Sequence, residues 1–152
     1  MADAGSAQPY ARPRAVCIFR RRDEILVIAS PDSTKGITGY DTFGGGVELG
    51  EYSADAARRE MREELGVEVL GLTHLGTVEC IFTHEGQLGH DIVFIYEAAF
   101  PDPAMYEKDI IEGEESDGSL IQATWKPLKE FGANSPLYPD GLLDILMRHW
   151  RI

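Results

Sequence analysis

Basic residues are scarce in this chain: 14 Lys and Arg stand against 26 Asp and Glu, a formal net charge of −12 over 152 residues. A surface that follows a nucleic-acid duplex or an anionic membrane needs clustered cations, so neither is expected as the main partner. An anionic small molecule stays compatible, because a bound metal ion inverts the local field. Cysteine is nearly absent. Cys17 and Cys80 fall in apolar, strand-like stretches too far apart to pair as metal ligands by spacing. They read as buried thiols of a reducing compartment. No apolar run reaches the length of a membrane span. The opening Met-Ala-Asp-Ala-Gly-Ser-Ala-Gln-Pro lacks a basic stretch followed by an apolar one. It reads as a disordered leader over residues 1–12 and not as a secretory signal. These absences predict a cytoplasmic protein.

Hydrophobic residues make up 43% and charged residues 26%, which suits one globular domain with a real core, expected over residues 13–152. Runs rich in apolar and β-branched residues predict strands at 14–20 and 24–30, joined by the charged tip Arg21-Arg22-Asp23. A short strand at 40–43 leads into a triple glycine. Further strands are expected at 67–70, 76–83, 90–100 and 119–126, with a turn at 84–89 and an acidic loop at 101–118. Helices are expected over 53–65, where Ala57, Met61 and Leu65 form a packing stripe, and near 140–150. Gly66 is a suitable stop for the first. Strands on both sides of a central helix, with a second helix at the end, predict a mixed sheet with helices on its faces.

The chemistry concentrates where the triple glycine runs into the first helix. Glu60, Glu63 and Glu64 stand at i, i+3 and i+4, off the Ala57–Met61–Leu65 stripe. Like charges at this spacing cost about a few tenths of a kcal/mol each, and a hard divalent cation would offset that cost. Gly44, Gly45 and Gly46 let backbone groups approach a ligand closely. A carbonyl from this bend with helix carboxylates gives an oxygen set suited to magnesium, which commonly shares a substrate's phosphates. Separately, an acidic helix face is usually just solvated and a glycine run is usually just a turn.

Together the residues resemble the Nudix hydrolase box. Gly45, Glu51, Arg59, Glu60, Met61, Glu63, Glu64, Gly66 and Val67 fill every fixed position. Such a match arises by chance far less often than roughly once in a million chains of ordinary composition. The order of flanking strands and Trp125-Lys126-Pro127-Leu128 after the acidic loop are also similar to the family. The resemblance implies an α+β fold, the Nudix α/β/α sandwich. It implies Mg²⁺, with Mn²⁺ as a substitute, held by Glu60 and Glu64, with Glu63 ligating or assisting and the Gly44 carbonyl as a further ligand. Glu51 and Arg59 resemble the family's ion pair, which steadies the loop against the helix. Glu63, Glu60, Arg59 and Glu51 are thus the candidate catalytic set, and Gly45, Gly46 and Arg14 the candidate substrate contacts. The implied reaction splits a nucleoside diphosphate linked to another group into a nucleoside monophosphate and a phosphorylated remainder.

Two positions depart from the family pattern. Phe43 stands where proline often precedes the glycines, and Tyr52 where a Ser or Thr often caps the helix, with Ser53 one place late. The general base is a box glutamate or one of Glu112, Glu114 and Glu115. Among other residues, Arg12 and Arg14 can hold phosphate oxygens. Phe82 can stack on a base, while Tyr96 and Trp125 suit the core better. His84 and His90 read as surface residues. ADP-ribose hydrolases of the family tend to carry a proline where this chain has Ile81-Phe82-Thr83, and dinucleoside polyphosphate hydrolases a tyrosine near His84. Their absence favours a nucleoside triphosphate or modified nucleotide as substrate. Alternatives are a nucleotide-sensing module without turnover, an ADP-sugar pyrophosphatase, and an isoprenoid diphosphate isomerase, which needs a reactive pocket cysteine. Dimers are common in the family, so a homodimer is a compatible state.

Overall fold

The computed structural model describes residues 10–152. Most of the leader expected over 1–12 lies outside that range, and Arg12 already opens the first strand. The strands are β1 (Arg12–Arg21), β2 (Glu24–Asp32), β3 (Ile37–Asp41), β4 (Phe43–Gly46), β5 (Leu70–His84), β6 (Gln87–Ala99), β7 (Ile110–Glu114) and β8 (Leu120–Pro127). Two helices, α1 (Ser53–Leu65) and α2 (Leu142–Trp150), complete the frame. The expected mixed sheet with helices on both faces is observed: β1 and β6 run parallel, and the other pairs are antiparallel.

Strand order is β5-β6-β1-β2-β8-β7, with β4 beside β1 and β3 beside β2. β1 and β2 meet only at Arg20↔Ile25 and Arg21↔Glu24. Beyond that ladder they part, β1 towards β4 and β6, β2 towards β3 and β8. The molecule is therefore a wedge of two sheets joined at the β1–β2 turn and open at the far end. The chain crosses between the sheets at Thr42, because β3 pairs with β2 while β4 pairs with β1.

Alternation along β1 supplies two cores. Ala15, Cys17 and Phe19 pack with Ala56, Ala57 and Met61 of α1. Val16 and Ile18 face the other way, against Leu142, Ile145 and Leu146 of α2. Burying such side chains contributes about 1.5–3 kcal/mol each. α1 occupies the residues expected, and Gly66 ends it at φ 66° with its amide on the Arg62 carbonyl. No side chain caps its start: the Ser53 hydroxyl bonds Tyr96 Oη at 2.6 Å instead.

Three regions depart from the sequence expectation. The glycines at 44–46 are the greater part of β4, paired with Arg14, Ala15 and Val16, and not a free bend. The stretch read as an acidic loop holds a short 3-10 helix (Pro103–Glu107) and β7. The strand expected at 76–83 belongs to a long β5 that begins at Leu70 and pairs irregularly up to Gly76, whereas residues 67–69 of the strand expected at 67–70 are not strand. No helix among the described residues is long and apolar enough to cross a membrane.

Candidate active site

The open end of the wedge forms a cleft of about 840 Å³. Its size suits a single small ligand. One side is the bend from β4 into α1, organised around Arg59. The guanidinium grips Glu51 with two bonds, Nε to Oε2 at 2.9 Å and Nη2 to Oε1 at 3.0 Å. Nη2 also donates to the Gly46 carbonyl at 2.9 Å. Nη1 donates to Glu60 at 3.0 Å and Glu63 at 3.2 Å. The expected Arg59–Glu51 pair is thus present, and it ties the loop to the helix. The bonds to Arg59 hold the Glu51 carboxyl below its ordinary pKa.

The glycines are required by close approach. A Cβ on Gly44, at φ 153°, would strike the Ala15 carbonyl and come within 2.7 Å of Val16 Cα. A Cβ on Gly45 would occupy the place of the Glu60 carboxylate. The Gly44 amide donates to Glu64 Oε1 at 3.2 Å.

Glu64 departs from the sequence expectation: it is buried, on the packed side of α1 with Ala57 and Met61. Spacings of seven and three residues place it there. Burial raises its carboxyl pKa well above the ordinary range, and the nearby charges of Glu60 and Glu115 raise it further. Glu115 is raised too, by desolvation, Asp117 and Glu60. Glu60, Glu64 and Glu115 thus line one corner of the cleft, and Arg59 bonds only Glu60 of the three. A hard dication suits that donor set. Among the described residues no three acidic, His or Cys side chains yet converge as a closed cation cage. Glu60 and Glu63 both accept from Arg59 Nη1. Glu63 is half exposed.

The other walls carry different chemistry. Arg12 Nε and Arg14 Nη1 flank the buried Asp91 at 3.4 and 3.5 Å. Arg12 Nε is buried without a hydrogen-bond partner. Gly45, Gly46 and Arg14 all line the cleft, as do Glu114 and Glu115, whereas Glu112 is exposed and outside it. Phe82 lines the cleft; Tyr96 and Trp125 are in the core. Cys17 and Cys80 are free and buried, and desolvation pushes the Cys17 thiol up to about 12. His84, read as a surface residue, lines the cleft with its Nδ1 3.7 Å from Asp32. Sequence spacing gave no sign of Ser30, Asp41, Asp91 or Tyr138, which reach the cleft from separate segments.

Fold and site together define the Nudix class. A family model for the NUDIX domain matches residues 10–144, and the chain belongs to that family of pyrophosphohydrolases. The NAD-capped RNA hydrolase NudC of Pseudomonas aeruginosa is 36% identical over 87 residues, covering 57% of this chain and 31% of the relative. NudC of Pseudomonas putida is 37% identical over 81 residues, covering 53% and 29%. The chain thus spans about a third of the length of these curated relatives. A MutT NUDIX hydrolase from Burkholderia pseudomallei superposes with TM-score 0.59 at 24% identity, covering 90% of this chain and 97% of that one. The E. coli ORF135 protein gives TM-score 0.55 at 22% identity, covering 97% and 94%. At these identities the structural likenesses establish the fold.

Proposed function

We propose that this chain is a metal-dependent hydrolase of the pyrophosphate bond in a nucleoside diphosphate linked to a further group. The carrying observation is the acidic corner: Glu60, Glu64 and Glu115 crowd together, with Glu64 buried, beside a loop locked by Arg59. Glu60, Glu64 and the Gly44 carbonyl would hold Mg²⁺ or Mn²⁺, with Glu63 assisting. Bound there, the ion supplies a Lewis acid that offsets the charge of the phosphate oxygens.

The chain's own groups do the rest. Arg12 and Arg14, with donors to spare after meeting Asp91, hold phosphate oxygens. Arg59 and Glu51 keep the Gly45–Gly46 backbone in place against the substrate. Water attacks phosphorus, the bridging P–O bond breaks, and Glu63 takes the proton. Products are a nucleoside monophosphate and the phosphorylated remainder.

A nucleoside triphosphate or modified nucleotide remains the favoured substrate, since the residues that mark the ADP-ribose and dinucleoside polyphosphate branches are missing. The NudC similarity supports the general reaction and adds NAD-type dinucleotides to the panel to be tried. Two buried free thiols accord with a cytoplasmic setting.

The test is turnover of a nucleotide panel with and without Mg²⁺, with products identified in oxygen-18 water. Label should appear in one phosphorylated product only. Glu64→Gln should cut kcat by at least about 100-fold, since altering even the partners of metal ligands costs 10–100-fold. Full activity of that variant, or no turnover of any nucleotide, would overturn the reading.

A further inference from the structure

Three arginines and one lysine line the cleft: Arg12, Arg14, Arg59 and Lys35. Two of these cations are engaged elsewhere. Arg59 uses Nε, Nη1 and Nη2 on Glu51, Glu60, Glu63 and the Gly46 carbonyl. Lys35 Nζ donates to the Thr83 carbonyl. Arg12 and Arg14 differ, because both stand beside one buried carboxylate, that of Asp91. We propose that Asp91 is a positioning residue: it aims the Arg12 and Arg14 guanidiniums together at one phosphoryl group of the substrate and does not touch that group itself. The inference rests on the pyrophosphate reading above and deepens it.

Strand register assembles the three. β6 runs between β5 and β1, and Asp91 is paired with Cys80 on one side and with Arg12 on the other. Arg14 follows Arg12 by two residues, so both arginines lie on the same face of β1. Arg14 is in turn opposite Gly46 of β4, whose carbonyl Arg59 holds. Two guanidiniums are thus set at the glycine end of the cleft, and each oxygen of one carboxylate faces one of them.

A carboxylate only 4% exposed is unfavourable unless paired, and two guanidiniums brought to the same carboxylate repel each other. Each offsets the cost of the other. The contacts are nevertheless long. Charge-assisted hydrogen bonds run at about 2.7–2.9 Å. Asp91 Oδ1 is 3.4 Å from Arg12 Nε, and Oδ2 is 3.5 Å from Arg14 Nη1. Arg12 Nε is buried and has no hydrogen-bond partner. Asp91 therefore balances charge without taking up the donors. A carboxylate serving the fold alone would take them up, as Glu51 does with Arg59 at 2.9 and 3.0 Å. Two forks held ready in this way suit the oxygens of a phosphoryl group.

A charge-diluting role and a positioning role have opposite signs. If Asp91 only dilutes the positive charge, removing its own charge raises the local potential and tightens anion binding. If it aims the arginines, removing it lets them part, and binding weakens. Misplacing a substrate clamp by about 1 Å costs on the order of 100-fold. The grip acts on ground state and transition state alike, so the loss falls on KM and spares kcat.

The experiment uses Asp91→Asn, which keeps the shape and removes the charge. Binding of methylenediphosphonate, whose P–C–P bridge water does not split, is measured by calorimetry in Mg²⁺. KM and kcat are measured on the best nucleotide of the panel. Asp91→Asn should weaken methylenediphosphonate binding by about tenfold or more and raise KM by a similar factor, with kcat within about twofold. In an Arg12→Ala/Arg14→Ala background the same change should have no further effect, because Asp91 then has nothing to aim. Should Asp91→Asn fail to fold, Asp91→Glu, which keeps the charge and shifts it by one methylene, must weaken binding in its place. The proposal is overturned by tighter or unchanged binding, by a fall in kcat at constant KM, by losses that add in the double-arginine background, or by a parent protein that does not bind methylenediphosphonate. Binding is read without turnover, so the two readings fail separately. Weakened binding in Asp91→Asn, with no nucleotide turned over by the parent, would sink the hydrolase and keep the positioning role. Turnover with KM untouched by Asp91→Asn would sink the positioning role alone.

Discussion

The two ends of the cleft are built in opposite ways. The end beside α1 comes from one continuous segment, Gly45–Val67, in which Arg59 reaches back only to Gly46 and Glu51 for its anchoring bonds. The other end is assembled from turns and strands remote in sequence. There the β5–β6 turn is clasped to the β2–β3 turn: Glu85 accepts from the Ser33 amide at 2.7 Å and from the Ser33 hydroxyl at 2.5 Å. Lys35 Nζ donates to the Thr83 carbonyl at 2.6 Å. The buried Asp32 accepts from the Thr34 and Lys35 amides on its own side and from the Glu85 amide across the gap. Local closure costs little chain entropy, whereas joining turns some fifty residues apart costs more. The first end is therefore a fixed platform, and the second holds only as long as its clasp.

The largest effect should come from breaking the platform. Arg59→Ala strands Glu51 and Glu60 without their partner, and urea denaturation should show a loss of about 2–4 kcal/mol. Arg59→Lys should recover only part of this, because an ammonium cannot reproduce the two-pronged grip on Glu51. Equal stability of Arg59→Lys and the parent would mean that charge alone fixes the loop.

Breaking the clasp should matter less and stay local. Glu85→Ala removes both bonds to Ser33, and a small loss of stability is expected. Amide exchange should quicken at residues 83–86 and stay unchanged in α1. Faster exchange in α1 as well would show that the two ends are mechanically one.

The smallest effect is a dependence on acid. The Thr34 side chain leads the bonds that lower the Asp32 pKa to about 2. The free carboxyl titrates near 4, so the unfolded chain takes up the proton first as pH falls. The Asp32 contribution is thus complete above about pH 5, shrinks through pH 4–2, and is gone below. Asp32→Asn should melt below the parent at neutral pH, and the two curves should converge in that acid window. A constant gap down to pH 2 would assign the stabilisation to shape and not charge.

The same contrast explains what was legible in the sequence. The helix from Ser53 to Leu65 and its stop at Gly66 depend on neighbours a few residues away, so spacing reveals them, while the Arg59–Glu51 pair was expected from the likeness to the family box. Glu64 was misplaced because the apolar stripe alone hid that its position faces inward. β7 was missed because Gly113 weakens its strand pattern. That glycine answers to a remote neighbour: a Cβ there would come within 2.6 Å of the Glu64 carbonyl. Asp41 and Tyr138 carry no local signal, since only the pairing of β2 with β3 and the contact at Gly39 bring them together.

The two-pair ladder at Arg20–Ile25 and Arg21–Glu24 has a consequence for diversification. With so short a seam between the sheets, residues on the β2–β3 side can be exchanged without re-registering β1, β4 or α1. Descendants of one ancestral scaffold can thus inherit its reaction unchanged while acquiring new tastes, one wall serving as heirloom and the other as slate.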